Sequence, residues 1–135
     1  MIKSLNFLSY FFISLFITKV SAQDISNYGD ISIQAENVTL NESTNQLLMR
    51  EKLKINFGTF SLSGDSAVLS YDEKKLIIDG SPASIFSEEE SINGTARQLI
   101  IYPNLAIEMH GNAQLVQGDR SIYSEQITYQ INSND

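Results

Sequence analysis

One pattern recurs four times along the sequence, and this repetition constrains the fold more than any other feature of the chain. The four segments share the same order of apolar, small and again apolar positions, and they are 33–40, 62–71, 92–102 and 122–129. The small residues at their centres are almost evenly spaced, at Ala35, Gly64, Gly94 and Ser124. Self-similarity at a fixed period is typical of repeat architectures, in which each unit buries its apolar face against its neighbours.

Each unit has the pattern of a bent β-strand. One apolar residue lies two positions before the small residue, and others recur three and five positions after it, as at Ile33, Val38 and Leu40. Alternation with a period of two indicates a half-buried strand. At the small residue, however, the apolar positions shift by one, and in a regular strand this shift would turn the apolar side chains that follow to solvent. We therefore predict a β-bulge or bend at each small residue, because small residues suit such corners.

Short polar clusters separate the strands. Turn-forming residues fall at 41–45, 58–59, 72–75, 87–91, 103–104 and 117–120, and connections of this length favour antiparallel neighbours. Beyond Ala22 no segment sustains the apolar spacing of a helix, so no helix is predicted there. The predicted fold class is all-β, an elongated twisted β-jellyroll or open β-sandwich of antiparallel strands. Three full units and one half unit place their apolar rows face to face.

The N-terminal segment 1–22 has the pattern of a cleavable signal peptide. Lys3 gives the positive start, positions 5–17 form a short apolar stretch, and Val20-Ser21-Ala22 supply the small residues before a cleavage site. Such a stretch is short for a hydrocarbon core about 30 Å thick. We therefore predict a signal peptide at 1–22 and a mature domain at 23–135, with an uncleaved membrane anchor as the alternative.

Charge and composition exclude several functions. The formal net charge is −7, and loss of Lys3 and Lys19 with the signal would make it −9. Nucleic-acid partners require a basic surface, so none is predicted. The chain has no cysteine and one histidine, His110, and it lacks the sequence motifs of nucleophilic hydrolases and metalloproteases. No catalytic residue, metal ligand or cofactor is predicted, and the acidic run 88–90 is interpreted as a solvated loop.

Two motifs carry a resemblance to a known family. One is the strand Gly64-Asp65-Ser66-Ala67-Val68-Leu69-Ser70-Tyr71, found more loosely at 94–102. The other is a Gly-Asn-Ala type motif at Gly111-Asn112-Ala113-Gln114-Leu115 and Gly80-Ser81-Pro82-Ala83, degenerate at 50–53. Together they resemble the OstA-like repeat domain of the LptA family of lipopolysaccharide transport proteins. The resemblance covers the whole predicted mature chain.

The resemblance implies a periplasmic carrier of lipopolysaccharide that bridges the inner and outer membranes. In that family the acyl chains of lipid A lie in an apolar trough, and copies join end to end through edge strands. The implied partners are lipopolysaccharide, an inner-membrane LptC-like jellyroll domain, an outer-membrane LptD-like jellyroll domain and further copies of the chain. The alternatives are an LptC-like membrane-anchored subunit of the same pathway and a structural β-repeat protein with a solid interior.

The alternating strands supply the residues for these roles. The trough is predicted to be lined by Ile33, Val38, Leu40, Leu53, Ile55, Leu62, Leu69, Leu76, Ile78, Ile85, Leu99, Ile101, Ile107, Met109, Leu115 and Ile127. The edges that bind partners are predicted at Ile31, Ile33, Ile122, Ile127 and Tyr129. Unpaired edges at 31–40 and 121–131 would act as templates for strand addition.

Overall fold

The computed structural model describes residues 2–12, 31–103 and 106–131, and all of their regular structure is β-strand. The strands are β1 (Ile2–Phe12), β2 (Ile31–Asn41), β3 (Gln46–Phe57), β4 (Phe60–Ser70), β5 (Lys75–Ser87), β6 (Ile92–Tyr102), β7 (Ala106–Gln117) and β8 (Arg120–Gln130). They form one sheet in chain order, and every neighbouring pair is antiparallel. The predicted all-β class is confirmed. Within these ranges there is no helix with the length and apolarity needed to cross a bilayer.

A line of register shifts divides the sheet into two halves. The shifts lie between Gln34 and Asn37 in β2, and at the matching level of every later strand pair. The first half-sheet contains the C-terminal halves of the even-numbered strands and the N-terminal halves of the odd-numbered strands. The second half-sheet contains the remaining halves of the same strands.

The two half-sheets fold face to face. Phe60 in the second half-sheet and Tyr129 in the first have ring centroids only 6.2 Å apart, although β4 and β8 are four strands apart in the sheet order. Four strands of a flat sheet span about 19 Å, so the halves must close on one another. A single folded sheet therefore buries its own apolar face, as the predicted jellyroll requires.

The bends match three of the four predicted positions. Ala35 and Gly64 lie within the shifts of β2 and β4, and Ser124 borders the shift of β8. Gly94 does not, because it pairs regularly with Ile85 and Leu115, and the shift follows between 95 and 98. A side chain at Gly94 would place its Cβ 2.8 Å from Met109 Cε. This glycine therefore makes room for a core side chain and forms no bend.

The extra residues of the bulges lie on the odd-numbered strands. Glu51 and Lys52 in β3 have φ angles of 66° and 54°, and Gly111 and Asn112 in β7 have φ angles of 88° and 48°. Glycine and asparagine adopt this left-handed region most readily. The Gly-Asn motif thus marks a backbone requirement at the bulge. In β3, where the motif is degenerate, two ordinary residues adopt the same conformation at about 1–2 kcal/mol each.

Candidate functional site: the apolar interior and its mouth

Inward-facing side chains form three continuous rows, each with one residue from every strand between β2 and β8. The lip row, in the first half-sheet nearest its free ends, is Leu40, Leu47, Leu69, Leu76, Ile101, Ile107 and Tyr129. The middle row, in the same half-sheet, is Val38, Met49, Ala67, Ile78, Leu99, Met109 and Ile127. The opposite row, in the second half-sheet, is Ile33, Ile55, Leu62, Ile85, Gly94, Leu115 and Ile122.

All sixteen residues predicted to line the trough face this interior. Fourteen are at most 8% exposed, while Leu40 and Leu69 are partly buried and pack against the others. Alternation within each strand was sufficient to place them on one face. The structure therefore brings them together, and their role as a lipid surface stays a prediction.

Among the residues whose burial the structure describes, ten further ones share the interior and were not predicted. They are Ala35, Leu47, Met49, Phe57, Phe60, Ala67, Ala83, Ile92, Ala96 and Ala113. Five of them are alanines that lie opposite larger side chains or near the bends. Because alanine is only weakly hydrophobic, the hydropathy pattern does not mark these positions as buried. Leu47, Met49, Phe57 and Ile92 follow the same alternation as the predicted residues, so counting every second position would have found them.

The chain fills this interior with its own side chains. Ile33, Met49, Ile78 and Leu99 are fully buried, and side chains of one half-sheet reach the backbone of the other. The methyl end of Met109 lies over Gly94, where an added Cβ would also come within 3.1 Å of Gln114 O. Because such contact leaves no room for an added methyl group, the half-sheets must separate before an apolar chain can lie between them.

Two cavities lie outside the interior. One of about 300 Å³ is at the bends and is lined by Ser81, Pro82, Arg97 and Asn112, among others. The Arg97 guanidinium stands 3.2 Å from the Glu125 carboxylate, and both side chains are exposed. The other cavity, of about 290 Å³, is at the ends of two hairpins. Neither cavity opens onto the three inward-facing rows.

The mouth of the interior is the line where the free ends of the half-sheets meet. Its first side is the lip row, and its second side is formed by Ile31, Phe57, Phe60, Ser87 and Ile92. Ser87 is 1% exposed, although it is polar. Its hydroxyl donates to Thr59 Oγ1 at 3.2 Å and accepts from the backbone N–H of Glu90 at 3.1 Å. These bonds tie together the two turns on the second side of the mouth.

Two tyrosines lie at the first side of the mouth. Burial raises the pKa of the Tyr71 hydroxyl from 10.0 to about 12. Burial also raises the pKa of the Tyr129 hydroxyl, with smaller contributions from the charge of Glu90 and from a hydrogen bond to that carboxylate. The Tyr129 ring therefore contacts the ring of Phe60 across the mouth, and the negative charge of Glu90 acts on the Tyr129 hydroxyl from the same side.

The two predicted edges have different surroundings in the full chain. β8 is an edge strand, as expected, and its Ile122 is 44% exposed while Ile127 is 8% exposed. In the full chain β1 pairs with β2 from Gln34 to Asn41. The predicted unpaired edge at 31–40 concerns the chain without residues 1–22, so it stays a prediction. An exposed strand edge pairs readily with any extended segment within reach. Of the predicted edge residues in β2, Ile31 and Ile33 lie beyond this pairing.

The predicted signal peptide overlaps β1. The structure places Ile2–Phe12 in the sheet, whereas residues 13–22, with the predicted cleavage site, lie outside the described residues. Pairing in the full chain does not bear on whether the segment is later removed. The division into 1–22 and 23–135 therefore stays a prediction.

The geometry defines a class of protein: a single β-sheet folded into a jellyroll around a continuous apolar interior, with an unpaired strand at one end. Residues 32–135 match the family described as LptA/(LptD N-terminal domain) LPS transport protein. The chain belongs to this family of lipopolysaccharide transport proteins, and the resemblance seen in the sequence is confirmed.

A solved structure agrees with this assignment in its fold. LptH from Pseudomonas aeruginosa, described as the LptA-homologous periplasmic component of the conserved lipopolysaccharide transport device, matches with a TM-score of 0.69. The match covers 75% of this chain and 76% of LptH at 17% sequence identity. No curated protein matches the sequence. At that identity the likeness to LptH shows the fold alone.

Proposed function

We propose that this chain is a periplasmic carrier that holds the acyl chains of lipid A between its two half-sheets and passes lipopolysaccharide from the inner to the outer membrane. The observation that carries the proposal is the continuity of the apolar rows. Each runs without a charged residue from β2 to the edge strand β8. Because the apolar rows reach the open edge of the sheet, they can continue into a neighbouring molecule. A core that is enclosed on all sides could not.

The energetics favour acyl chains as the ligand. Each methylene group moved from water into the interior contributes about 0.8 kcal/mol. In the part of the chain whose burial the structure describes, no charged residue is buried, so these charges lie on the outer face and the turns, away from the acyl chains. Separation of the half-sheets exposes apolar side chains, and the incoming acyl chain covers them again. The sugars and phosphates of the lipid would stay in water at the mouth.

We also propose that the carrier works by end-to-end contact. β8 offers one unpaired row of backbone N–H and C=O groups, and removal of 1–22 would expose a second row on β2. Strand addition between such edges supplies backbone hydrogen bonds and aligns the apolar rows of the two partners. The proposed partners are an LptC-like domain, an LptD-like domain and further copies of this chain.

Photocrosslinking in cells expressing the full chain tests the lipid proposal. A photoreactive residue replaces Ile78 or Leu99, which are fully buried in the middle row, or Leu69 in the lip row. The matched controls are Ile77 and Ile100, which neighbour the first two positions in the chain but face outward. We expect adducts with lipopolysaccharide from the inward positions only.

The alternatives give different results. Silence at all three inward positions, with protein adducts from Tyr129 in the edge strand, would indicate a structural β-repeat protein with a solid interior. An LptC-like anchored subunit would crosslink lipid but keep residues 1–22, which mass spectrometry of the N-terminal peptide from the purified protein detects.

A further inference from the structure

Tyr129 differs from every other residue in the lip row. The other six residues are leucines or isoleucines, whereas Tyr129 carries a hydroxyl and stands on the edge strand β8. Its ring meets Phe60 edge-on, with an interplanar angle of 74° and a centroid distance of 6.2 Å. Its hydroxyl faces Glu90 in the turn between β5 and β6.

Both contacts of Tyr129 cross the mouth. Phe60 is 7% exposed and begins β4 in the second half-sheet, and Glu90 belongs to a turn at the end of the same half-sheet. Tyr129 itself lies in the first half-sheet, paired with Ile107. The ring contact with Phe60 therefore joins the two half-sheets at the rim of the mouth.

The position of this closure is at the end of the trough. Ile122, on the other half of β8, is 44% exposed and marks where the interior opens at the sheet edge. Tyr129 covers the neighbouring part of the mouth, together with the partly buried Ile131. An aliphatic chain that entered from the side, or moved into a neighbour docked on β8, would have to pass this point.

We propose that Tyr129 is a latch that holds the mouth closed at the β8 end, and that its side chain must leave Phe60 and Glu90 before an aliphatic chain can enter or leave there. This inference rests on the proposed function, since it concerns access to the same trough. Opening breaks the aromatic contact with Phe60, moves the hydroxyl away from the charge of Glu90, and leaves the backbone pairing of β7 with β8 intact.

A covalent lock tests the latch directly. The chain has no cysteine, so the double variant Phe60→Cys with Tyr129→Cys can be joined across the mouth with a short disulfide-containing bismaleimide. The probe is anthroyloxy-stearic acid, whose fluorescence rises when it enters an apolar site. We expect the joined protein to take up the probe at least tenfold more slowly, and cleavage of the linker to restore uptake.

The matched control joins two cysteines within one half-sheet. Asn56 and Ser61 lie on neighbouring strands of the outer face, with their side-chain oxygens 3.0 Å apart. The double variant Asn56→Cys with Ser61→Cys, treated in the same way, should take up the probe at the wild-type rate. Circular dichroism of both joined proteins checks that each keeps its β-structure.

Single substitutions separate the two contacts. Tyr129→Phe removes the hydroxyl and keeps the ring, so we expect uptake two- to fivefold faster than wild type. Tyr129→Ala removes both contacts and should be faster still. Glu90→Gln should resemble Tyr129→Phe, while Glu89→Gln in the same turn should have no effect.

The outcomes distinguish the latch from the proposed function. If the wild-type chain takes up no probe, the lipid-carrier function fails and the latch fails with it. If the wild type takes up the probe and the joined Phe60→Cys, Tyr129→Cys protein does so at the same rate, the latch alone is overturned. Equal uptake rates for Tyr129→Ala and wild type would also overturn it.

Discussion

Leu62 and Ile122 occupy equivalent positions of the repeat, two residues before the small residue of their units, yet their surroundings differ. Both belong to the opposite row, but Leu62 is 2% exposed and Ile122 is 44% exposed. Leu62 lies between Ile55 and Ile85, whereas Ile122 has Leu115 on one side and no strand on the other. Ile122 is therefore exposed because no described strand covers its outer side.

This difference shows that the last unit is built like an internal one. Terminal units of repeat proteins usually carry a polar outer surface that keeps them soluble. Here the inward face of β8 keeps Ile122, Ile127 and Tyr129, and its edge is unpaired. At the other end β1 covers most of the β2 edge in the full chain. In the full chain the two ends thus differ, because β2 is paired with β1 along most of its edge and the outer edge of β8 has no partner among the described strands.

The largest effect should come from truncating the two equivalent side chains. Leu62→Ala removes a fully enclosed side chain and should lower the free energy of unfolding by about 2–5 kcal/mol. Ile122→Ala should lower it by less than about 1 kcal/mol, since almost half of the side chain is already in water. Urea denaturation of both variants measures the difference. Equal losses would mean that β8 is buried by a neighbour already present in solution.

A second substitution tests the packing in the middle of the same row. Gly94→Ala would bring its methyl group within 3.1 Å of the backbone oxygen of Gln114 and 2.8 Å of Met109 Cε. Overpacking of this kind costs about 1–3 kcal/mol, again measured by urea denaturation. Because Met109 is the flexible neighbour, Met109→Ala should relieve part of the strain in the double variant. If the losses in the free energy of unfolding of the two single variants simply added in the double variant, the face-to-face packing of Gly94 and Met109 would be contradicted.

The role of Gly94 shows where sequence reasoning ends. Alternation within strands placed all sixteen predicted trough residues on the inward face, because a period of two needs only the strand itself. The contact between Gly94 and Met109 joins opposite half-sheets, and no local pattern encodes it. The same holds for Tyr129, which the sequence marks as an edge residue, while its contact with Phe60 depends on how the sheet folds.

Two further features could not be predicted from the sequence, namely the backbone conformation at the bulges and the pairing of the N-terminal segment. The Gly-Asn motif was recognised as a family feature, but the positive φ angles of Gly111 and Asn112 explain why it is there. The equivalent bend in β3 uses Glu51 and Lys52, which no composition rule identifies. Pairing of β1 with β2 in the full chain was not predicted, because the segment 1–22 was interpreted as a signal peptide.

A charge at the edge should separate association from stability. Ile122→Lys places an ammonium group on the inward face of β8, where a docked partner would have to bury it. We expect end-to-end association of the 23–135 chain to weaken at least tenfold, or about 1.4 kcal/mol, with little change in unfolding. Sedimentation velocity over a concentration series measures this. The full chain should associate less than 23–135, because β1 occupies the β2 edge.

The outward-facing Tyr123 provides the control for that experiment. It follows Ile122 in β8 and is 72% exposed. Tyr123→Lys adds the same charge to the same strand on the opposite face, so association should fall much less. If both variants weaken association equally, the face of β8 that carries the lysine makes no difference, and contact through the inward face of β8 is excluded.

The smallest expected effect compares the two tyrosines at the mouth. Burial raises the pKa of Tyr71 from 10.0 to about 12, so the folded chain binds this proton more tightly than the unfolded chain. The resulting stabilisation is complete below pH 10 and is lost as the pH rises through about 12. Wild-type stability should therefore fall more steeply across this range than that of Tyr71→Phe, as followed by thermal denaturation at each pH.

The raised pKa of Tyr129, at the edge of the sheet, should likewise stabilise the fold at lower pH and lose this effect as the pH rises. Its pKa is raised by burial and then by Glu90, so Glu90→Gln should lower the pH at which its phenolate forms, whereas Tyr71 should be unaffected. Ultraviolet difference spectra of the wild type and of the Tyr129→Phe, Tyr71→Phe and Glu90→Gln variants assign each titration. An unchanged Tyr129 titration in Glu90→Gln would show that the carboxylate does not reach the hydroxyl across the mouth. Burial alone would then account for the raised pKa of both tyrosines.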